Sequence, residues 1–147
     1  MKKIDPHTLF SAFEQGDEAV YREHGMEDQL QNPFVLMGMV LKGLEQYELM
    51  DILYTRNYGE KYKEIRSKVK LKYYLRLFGY LERIDSTSFE DIYQISLEYP
   101  IEETYTKLNK FLNFFESIEY YENCAVVKRY IDQLTDAYQK IPQDFSL

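Results

Sequence analysis

The most constraining feature of the chain is the helical spacing of its apolar residues between residues that favour helix ends. Asn32-Pro33 places a capping side chain before a proline at the first helical position, which predicts a helix running through Thr55. One face of this helix is formed by Leu36, Val40, Gly43, Tyr47, Met50 and Tyr54, which recur at intervals of three and four residues. A second row beside them contains Met37, Leu41 and Leu44. The helix is therefore predicted to pack against two neighbours.

Similar boundary residues divide the rest of the chain into helices. Two short helices are predicted near the start, over 5–16 and 17–25, and two further helices over about 60–83 and over 89–98. One side of the helix over 60–83 is formed by Tyr62, Ile65, Val69, Tyr73, Leu77 and Tyr80. Ser88 is the expected cap of the helix that follows it.

The last two helices carry matching apolar seams and are predicted to form an antiparallel αα-hairpin. The first seam contains Ile101, Tyr105, Leu108, Leu112 and Phe115, and the second contains Tyr120, Cys124, Val127, Ile131, Leu134, Tyr138 and Ile141. A length of 147 residues fits one domain. The sequence therefore predicts an all-α fold: one compact domain over 1–147, with about six or seven helices, ending in this hairpin.

The start of the second hairpin helix resembles a known kind of interaction motif. Tyr120-Tyr121-Glu122-Asn123-Cys124-Ala125 is loosely similar to helical hairpins of the UVR-motif type, which mediate protein contacts. The similarity is confined to the end of the chain, and the following Val126 and Val127 depart from the longer polar pattern of those hairpins. The resemblance implies a role in binding another protein.

Composition excludes several classes of protein. The net charge of −7 does not suit a chain that covers nucleic acid with positive charge along its whole length. A single cysteine supplies neither a disulfide framework nor a zinc site. No signal peptide is readable, and no apolar run approaches the roughly 20 residues of a membrane span. We therefore expect a cytoplasmic protein without membrane association.

The net charge is divided unevenly along the chain. Residues 1–55 have a formal charge of −6, residues 56–83 of +6 and residues 84–147 of −7. Five bases of the basic helix fall within a sector of roughly 80° when projected at 100° per residue. We call these five the basic strip: Lys61, Lys68, Lys72, Arg76 and Arg83. Lys63, Arg66 and Lys70 form a second basic flank.

The basic strip and nearby tyrosines allow three interpretations. Bases beside aromatic rings suit single-stranded nucleic acid, whose phosphates take cations and whose bases stack on rings. The same charges suit an acidic protein partner. The third interpretation is a surface neutralised by acids of the same chain, for which Glu45, Glu48 and Asp51 form a candidate acidic ridge.

Catalytic and metal-binding patterns are weak. His24 lies near Glu23, Glu27 and Asp28, but the set does not match a di-metal bundle, and His7 is the only other histidine. Cys124 lies on an apolar seam, where a cysteine is typically a small core residue. We therefore expect no enzyme activity, no metal and no cofactor.

The sequence thus favours a non-catalytic protein-interaction module that acts as an adaptor, regulator or inhibitor of a larger macromolecular machine. The predicted binding residues are Lys61, Lys68, Lys72, Arg76, Tyr80 and Arg83. The alternative is a nucleic-acid-binding accessory protein that uses the same helix. Self-association is a further option, because Phe114 points away from the predicted seam. The pattern fits a cellular accessory protein and a phage-encoded effector equally well.

Overall fold

The computed structural model describes residues 31–142, which form five α-helices and no strand within that range. The helices are α1 (Pro33–Tyr58), α2 (Glu60–Glu82), α3 (Phe89–Glu98), α4 (Ile101–Ser117) and α5 (Tyr121–Gln139). The predicted all-α class is confirmed. Five described helices stand against the six or seven expected, and the two helices predicted over 5–16 and 17–25 lie outside the described residues.

Two of the predicted caps begin helices as expected. The Asn32 side chain accepts a hydrogen bond from the Phe34 backbone N–H at 2.9 Å, with Pro33 in the first turn of α1. The Ser88 hydroxyl accepts from the Asp91 N–H at 3.3 Å at the start of α3. Each cap satisfies one backbone donor that would otherwise lack a partner inside the helix.

α1 is the central helix, and it contacts α2, α3 and α4. All residues of its two predicted apolar rows are buried, so the predicted faces are confirmed, and the helix has three neighbours where two were expected. Gly43 marks a close approach to α2, because a Cβ atom there would lie 2.5 Å from Leu77 Cδ2. The lack of a side chain at Gly43 therefore lets the two helices pack tightly.

The turn between α1 and α2 depends on Gly59. Its φ angle of 50° is one that residues with a side chain rarely adopt, although nothing lies within 4 Å of an added Cβ atom. We expect Gly59→Ala to lower the free energy of unfolding by about 1–3 kcal/mol, because the cost is entirely conformational. Urea denaturation followed by circular dichroism measures the effect.

Gly79 provides the matched control for this prediction. It lies inside α2, and an added Cβ atom there would also meet nothing within 4 Å. Gly79→Ala should therefore stabilise the protein by about 0.5–1 kcal/mol through helix propensity. Equal effects of the two substitutions would contradict this account of the turn.

α4 and α5 form the predicted C-terminal hairpin, with α3 packed against α5, but the predicted seams are partly wrong. On α4, Thr104 and Phe111 are buried while Tyr105 is 52% exposed. On α5, the buried positions include Tyr130 and Ala137, whereas Tyr138 and Tyr120, which directly precedes the helix, are exposed. For α4 the reason is that it also packs against α2, where the Phe111 ring meets the Tyr74 ring with centroids 5.4 Å apart, and for α5 it is the additional packing of α3. Because a second helix contacts each of these helices, the buried face differs from the single seam predicted for it.

Candidate interaction surface

The lysines of the basic strip lie apart from the residues of α2 that contact α1, which include Tyr62 and Leu77. Lys61, Lys68 and Lys72 are all exposed. Within residues 31–142, none of these three lysines lies within ion-pair distance of an acid. The described acids therefore leave this part of the strip unneutralised.

Tyr80 holds the two arginines at the end of the strip. Its ring is 3% exposed, so it belongs to the core rather than to the contact surface. Arg76 Nε donates a hydrogen bond to the Tyr80 hydroxyl at 3.0 Å. The guanidinium carbons of Arg76 and Arg83 lie 5.8 and 5.4 Å from the centre of the same ring. Tyr80 thus orients these cations, and any contact that it makes with a partner would act through them.

The side chains of the acidic ridge form ion pairs with other residues of the same chain. Glu45 lies 3.5 Å from Lys107 Nζ, and Glu48 pairs with Lys110, so both bind cations of α4. Asp51 pairs with Arg66, which belongs to the second basic flank of α2. The ridge therefore links α1 to α4 and to one side of α2 without covering the basic strip.

Asp51 is the acceptor in the densest polar cluster between α1 and α2. The Tyr62 hydroxyl donates to Asp51 Oδ1 at 2.7 Å, while Arg66 donates through Nε at 2.9 Å and through Nη2 at 2.6 Å. Partial burial by itself would raise the pKa of Asp51, but these hydrogen bonds and the Arg66 charge outweigh it. The pKa of Asp51 consequently lies below its ordinary value of 3.8.

This cluster makes stability depend on pH. Because the folded-state pKa of Asp51 is lowered, its contribution is present above the ordinary value of 3.8 and is lost as pH falls through the lowered one. We expect Asp51→Asn to cost about 1 kcal/mol of unfolding free energy at neutral pH, since solvent weakens a partly exposed ion pair. The measurement is urea denaturation at a series of pH values from neutral to strongly acidic.

Asp132→Asn is the control, because Asp132 is exposed on α5 and has no hydrogen bond or ion pair with another described side chain. The difference in stability between wild type and Asp51→Asn should shrink as acid is added. The difference for Asp132→Asn should stay near zero. A constant difference for Asp51→Asn at every pH would contradict the assignment.

The tyrosines near the strip are largely core residues. Tyr62, Tyr73 and Tyr74 are each at most 5% exposed. Burial raises the pKa of Tyr74 to about 12, and the charges of Glu48 and Asp51 add to this effect. The apolar side chains accessible beside the strip are instead Ile65, half-buried, and Leu75, 38% exposed. The strip therefore presents cations and aliphatic groups rather than aromatic rings.

A groove of about 550 Å³ lies beside the strip, between α1, α2 and the end of α4. We call it the anchor groove, and its lining includes Ser67, Lys68, Lys70, Leu71, Phe114 and Ile118. Lys68 belongs to both the groove and the strip. This groove has no signature in the sequence, although Lys70 and the unusual position of Phe114 are each apparent there separately.

Phe114 does not stand free on the surface. Its ring packs against the Tyr74 ring with centroids 4.6 Å apart, and Lys70 Nζ lies 5.1 Å from its centre. The phenylalanines beside it, Phe111 and Phe115, are fully buried. The phenylalanine cluster therefore joins α4 to α2, and this contact accounts for the position of Phe114 without self-association.

Candidate catalytic groups gain no support from the geometry. Cys124 is half-buried with its sulfur 3.8 Å from the Leu112 carbonyl oxygen, and burial together with the Glu116 charge raises the pKa of its thiol. Residues 31–142 contain no group of three or more side chains suited to hold a metal ion. His7, Glu23, His24, Glu27 and Asp28 lie outside the described residues.

Comparisons with known protein families, with curated proteins and with solved structures found no match. Across residues 31–142, none of the helices combines the length and the apolar character needed to cross a membrane. The exposed basic strip and its surroundings are therefore the features from which we infer a function.

Proposed function

We propose that this protein is a non-catalytic interaction module that binds an acidic segment of a partner protein along the basic strip. In this role it serves as an adaptor, regulator or inhibitor of a larger macromolecular machine. The supporting observation is that Lys61, Lys68 and Lys72 share one exposed face and form no ion pair with any described acid.

Repulsion between like charges on one helix face gives an electrostatic reason for binding an acidic partner. Lys68 and Lys72 are one turn apart, where two cations repel each other by a few tenths of a kcal/mol. An acidic partner removes this repulsion and adds complementary charge, which chiefly increases the rate of association and fixes the orientation of the complex. The charges are therefore better suited to recognition than to fold stability.

The surroundings of the strip favour a protein over single-stranded nucleic acid. Non-specific single-strand binding uses exposed aromatic rings on which bases stack, and Tyr62, Tyr73, Tyr74 and Tyr80 are buried. Leu75 lies exposed on the same side as the lysines and offers an apolar contact instead. Complementary charge beside an apolar contact suits an acidic protein segment, whereas no stacking platform for bases is present at these tyrosines.

Affinity capture with the full chain tests the proposal. Wild type should retain a stoichiometric acidic protein from native lysate and release it as salt rises, because exposed charges are screened. Lys68→Glu/Lys72→Glu should lose this partner. The control Lys42→Glu/Lys128→Glu changes charge equally at exposed lysines on α1 and α5 and should retain it. Absence of a partner, or equal loss with both variants, would contradict the proposal.

The alternative function is that of a nucleic-acid-binding accessory protein. It is favoured by the length of the strip, since Lys61 and Lys72 are separated by roughly 16 Å along the helix axis, enough to span several phosphates. Titration of a labelled single-stranded oligonucleotide at increasing salt distinguishes the two functions. Tight binding at low salt that Lys68→Glu/Lys72→Glu abolishes would support nucleic acid, and no binding at low salt would exclude it.

A further inference from the structure

The anchor groove offers a binding site that combines an apolar surface with a fixed cation. Leu71, Phe114 and Ile118 supply its apolar lining. Lys70 lies at its side, with Nζ 5.1 Å from the centre of the Phe114 ring and 5.4 Å from that of Tyr74. Two aromatic rings thus hold the ammonium group in place.

Lys70, at the side of the groove, remains able to form an ion pair with an acidic ligand. Lys70 has no ion pair within the described residues, and the nearby carboxylate of Asp51 is already bound by Arg66 and Tyr62. The Tyr47 ring lines the groove and its hydroxyl is buried. This hydroxyl lies beside Asp51 and Tyr62, which interact with it, and it is shielded from the groove, so it is not available to a ligand.

The charge of the lining distinguishes this groove from two others of similar size. The anchor groove is lined by three cations and one carboxylate. A groove of about 590 Å³ against α1 has two cations and two carboxylates, and one of about 460 Å³ between α4 and α5 has one cation and two carboxylates. The anchor groove is therefore the one of the three that complements an acidic ligand.

We propose that the anchor groove receives an apolar side chain of the acidic partner segment, with an adjacent carboxylate paired to Lys70. This inference rests on the proposed function and specifies the sequence of the partner: acidic residues flanking at least one large apolar residue. Lys68 lines the groove and belongs to the strip, so one extended segment can occupy both. The strip then supplies long-range attraction, and the groove supplies the buried contact that slows dissociation.

Two fluorescein-labelled, capped peptides test the inference by fluorescence anisotropy with the full chain. One peptide is Glu-Asp-Glu-Leu-Phe-Glu-Asp-Glu, and the other carries Ser-Ser in place of Leu-Phe. Because burial of a large apolar side chain strengthens binding, the Leu-Phe peptide should bind at least about tenfold more tightly. Ser67→Trp fills the groove from an exposed position on α2 and should abolish this difference.

Gln133→Trp is the matched control, since it adds the same ring at an exposed position on α5, away from the groove. It should leave the difference between the peptides unchanged. Equal affinity of wild type for the two peptides, no binding of the Leu-Phe peptide, or a difference that survives Ser67→Trp would overturn the groove assignment.

If the proposed function fails because the basic strip does not attract acidic segments, the peptide affinities give a different result. Lys61→Glu/Lys72→Glu, at exposed strip lysines that do not line the groove, should weaken both peptides together, because it removes the attraction shared by their flanking acids. If this variant leaves both affinities unchanged while Ser67→Trp still removes the preference for Leu-Phe, the groove assignment stands and the role of the strip is wrong.

Discussion

Replacing Phe111 with alanine is expected to lower the free energy of unfolding by about 3–5 kcal/mol, a large part of the 5–15 kcal/mol typical of a domain. Phe111 is fully buried on α4. Its ring stacks on that of Phe115 at 5.8 Å between centroids and meets the Tyr74 ring of α2 edge-on at 5.4 Å. The substitution would remove contacts with both rings and leave a cavity between α2 and α4.

Urea denaturation followed by circular dichroism measures this effect, with Tyr105→Ala as the control. Tyr105 lies on the same helix but is 52% exposed, so its removal should change stability by no more than about 0.5 kcal/mol. The buried seam predicted from the sequence for this helix contains Tyr105 and lacks Phe111. A larger loss of stability for Tyr105→Ala than for Phe111→Ala would therefore support the seam predicted from the sequence and contradict the observed packing of α4.

The second large effect concerns binding. Lys68→Glu/Lys72→Glu is expected to reduce the association rate with the acidic partner by about 10- to 100-fold, because the field that steers the encounter is reversed on one face of α2. Stability should change little, since neither lysine pairs with a described acid. Surface plasmon resonance at several salt concentrations measures the rate and its salt dependence.

The variant Lys42→Glu/Lys128→Glu again controls for net charge. It changes the total charge by the same amount at exposed positions outside the strip. A non-specific effect of net charge would slow association equally in both variants. A specific strip requires a much larger effect of the changes at Lys68 and Lys72, and one that high salt removes.

The sequence predicted the described helices well because helix ends are determined locally. Asn32 and Ser88 cap the helices that they were expected to cap, and Gly59 separates α1 from α2. The faces of α1 were also correct, since two adjacent apolar rows leave few choices for a central helix. α1 runs three residues beyond the predicted end at Thr55, because the break comes at Gly59 itself.

Burial of individual aromatic residues was less predictable because it depends on neighbouring helices. Tyr80 was expected at the interface, yet its ring is buried and orients Arg76 and Arg83. On α4, the adjacent Phe114 and Phe115 have similar hydrophobicity, and only the position of α2 determines which one faces Tyr74. Helical periodicity within one segment contains no such information.

The candidate site, like the fold, was predictable from the sequence only in part. The basic strip follows from residue spacing on one helix, so the sequence alone places Lys61, Lys68 and Lys72 on one face. The anchor groove combines residues of α1 and α2 with Phe114 of α4, far along the chain, and it appears only when Lys70 and Phe114 come together. Whether the acidic ridge would neutralise the strip also required the structure, which directs Glu45 and Glu48 to Lys107 and Lys110.

Lysine reactivity in the captured complex tests the central claim most directly. The free protein and the complex are acetylated with a lysine-selective reagent, and modification is quantified at each lysine by mass spectrometry. The account predicts that Lys61, Lys68 and Lys72 become protected in the complex while Lys42 and Lys128 stay reactive. Unchanged reactivity at the three strip lysines, with protection elsewhere, would contradict it.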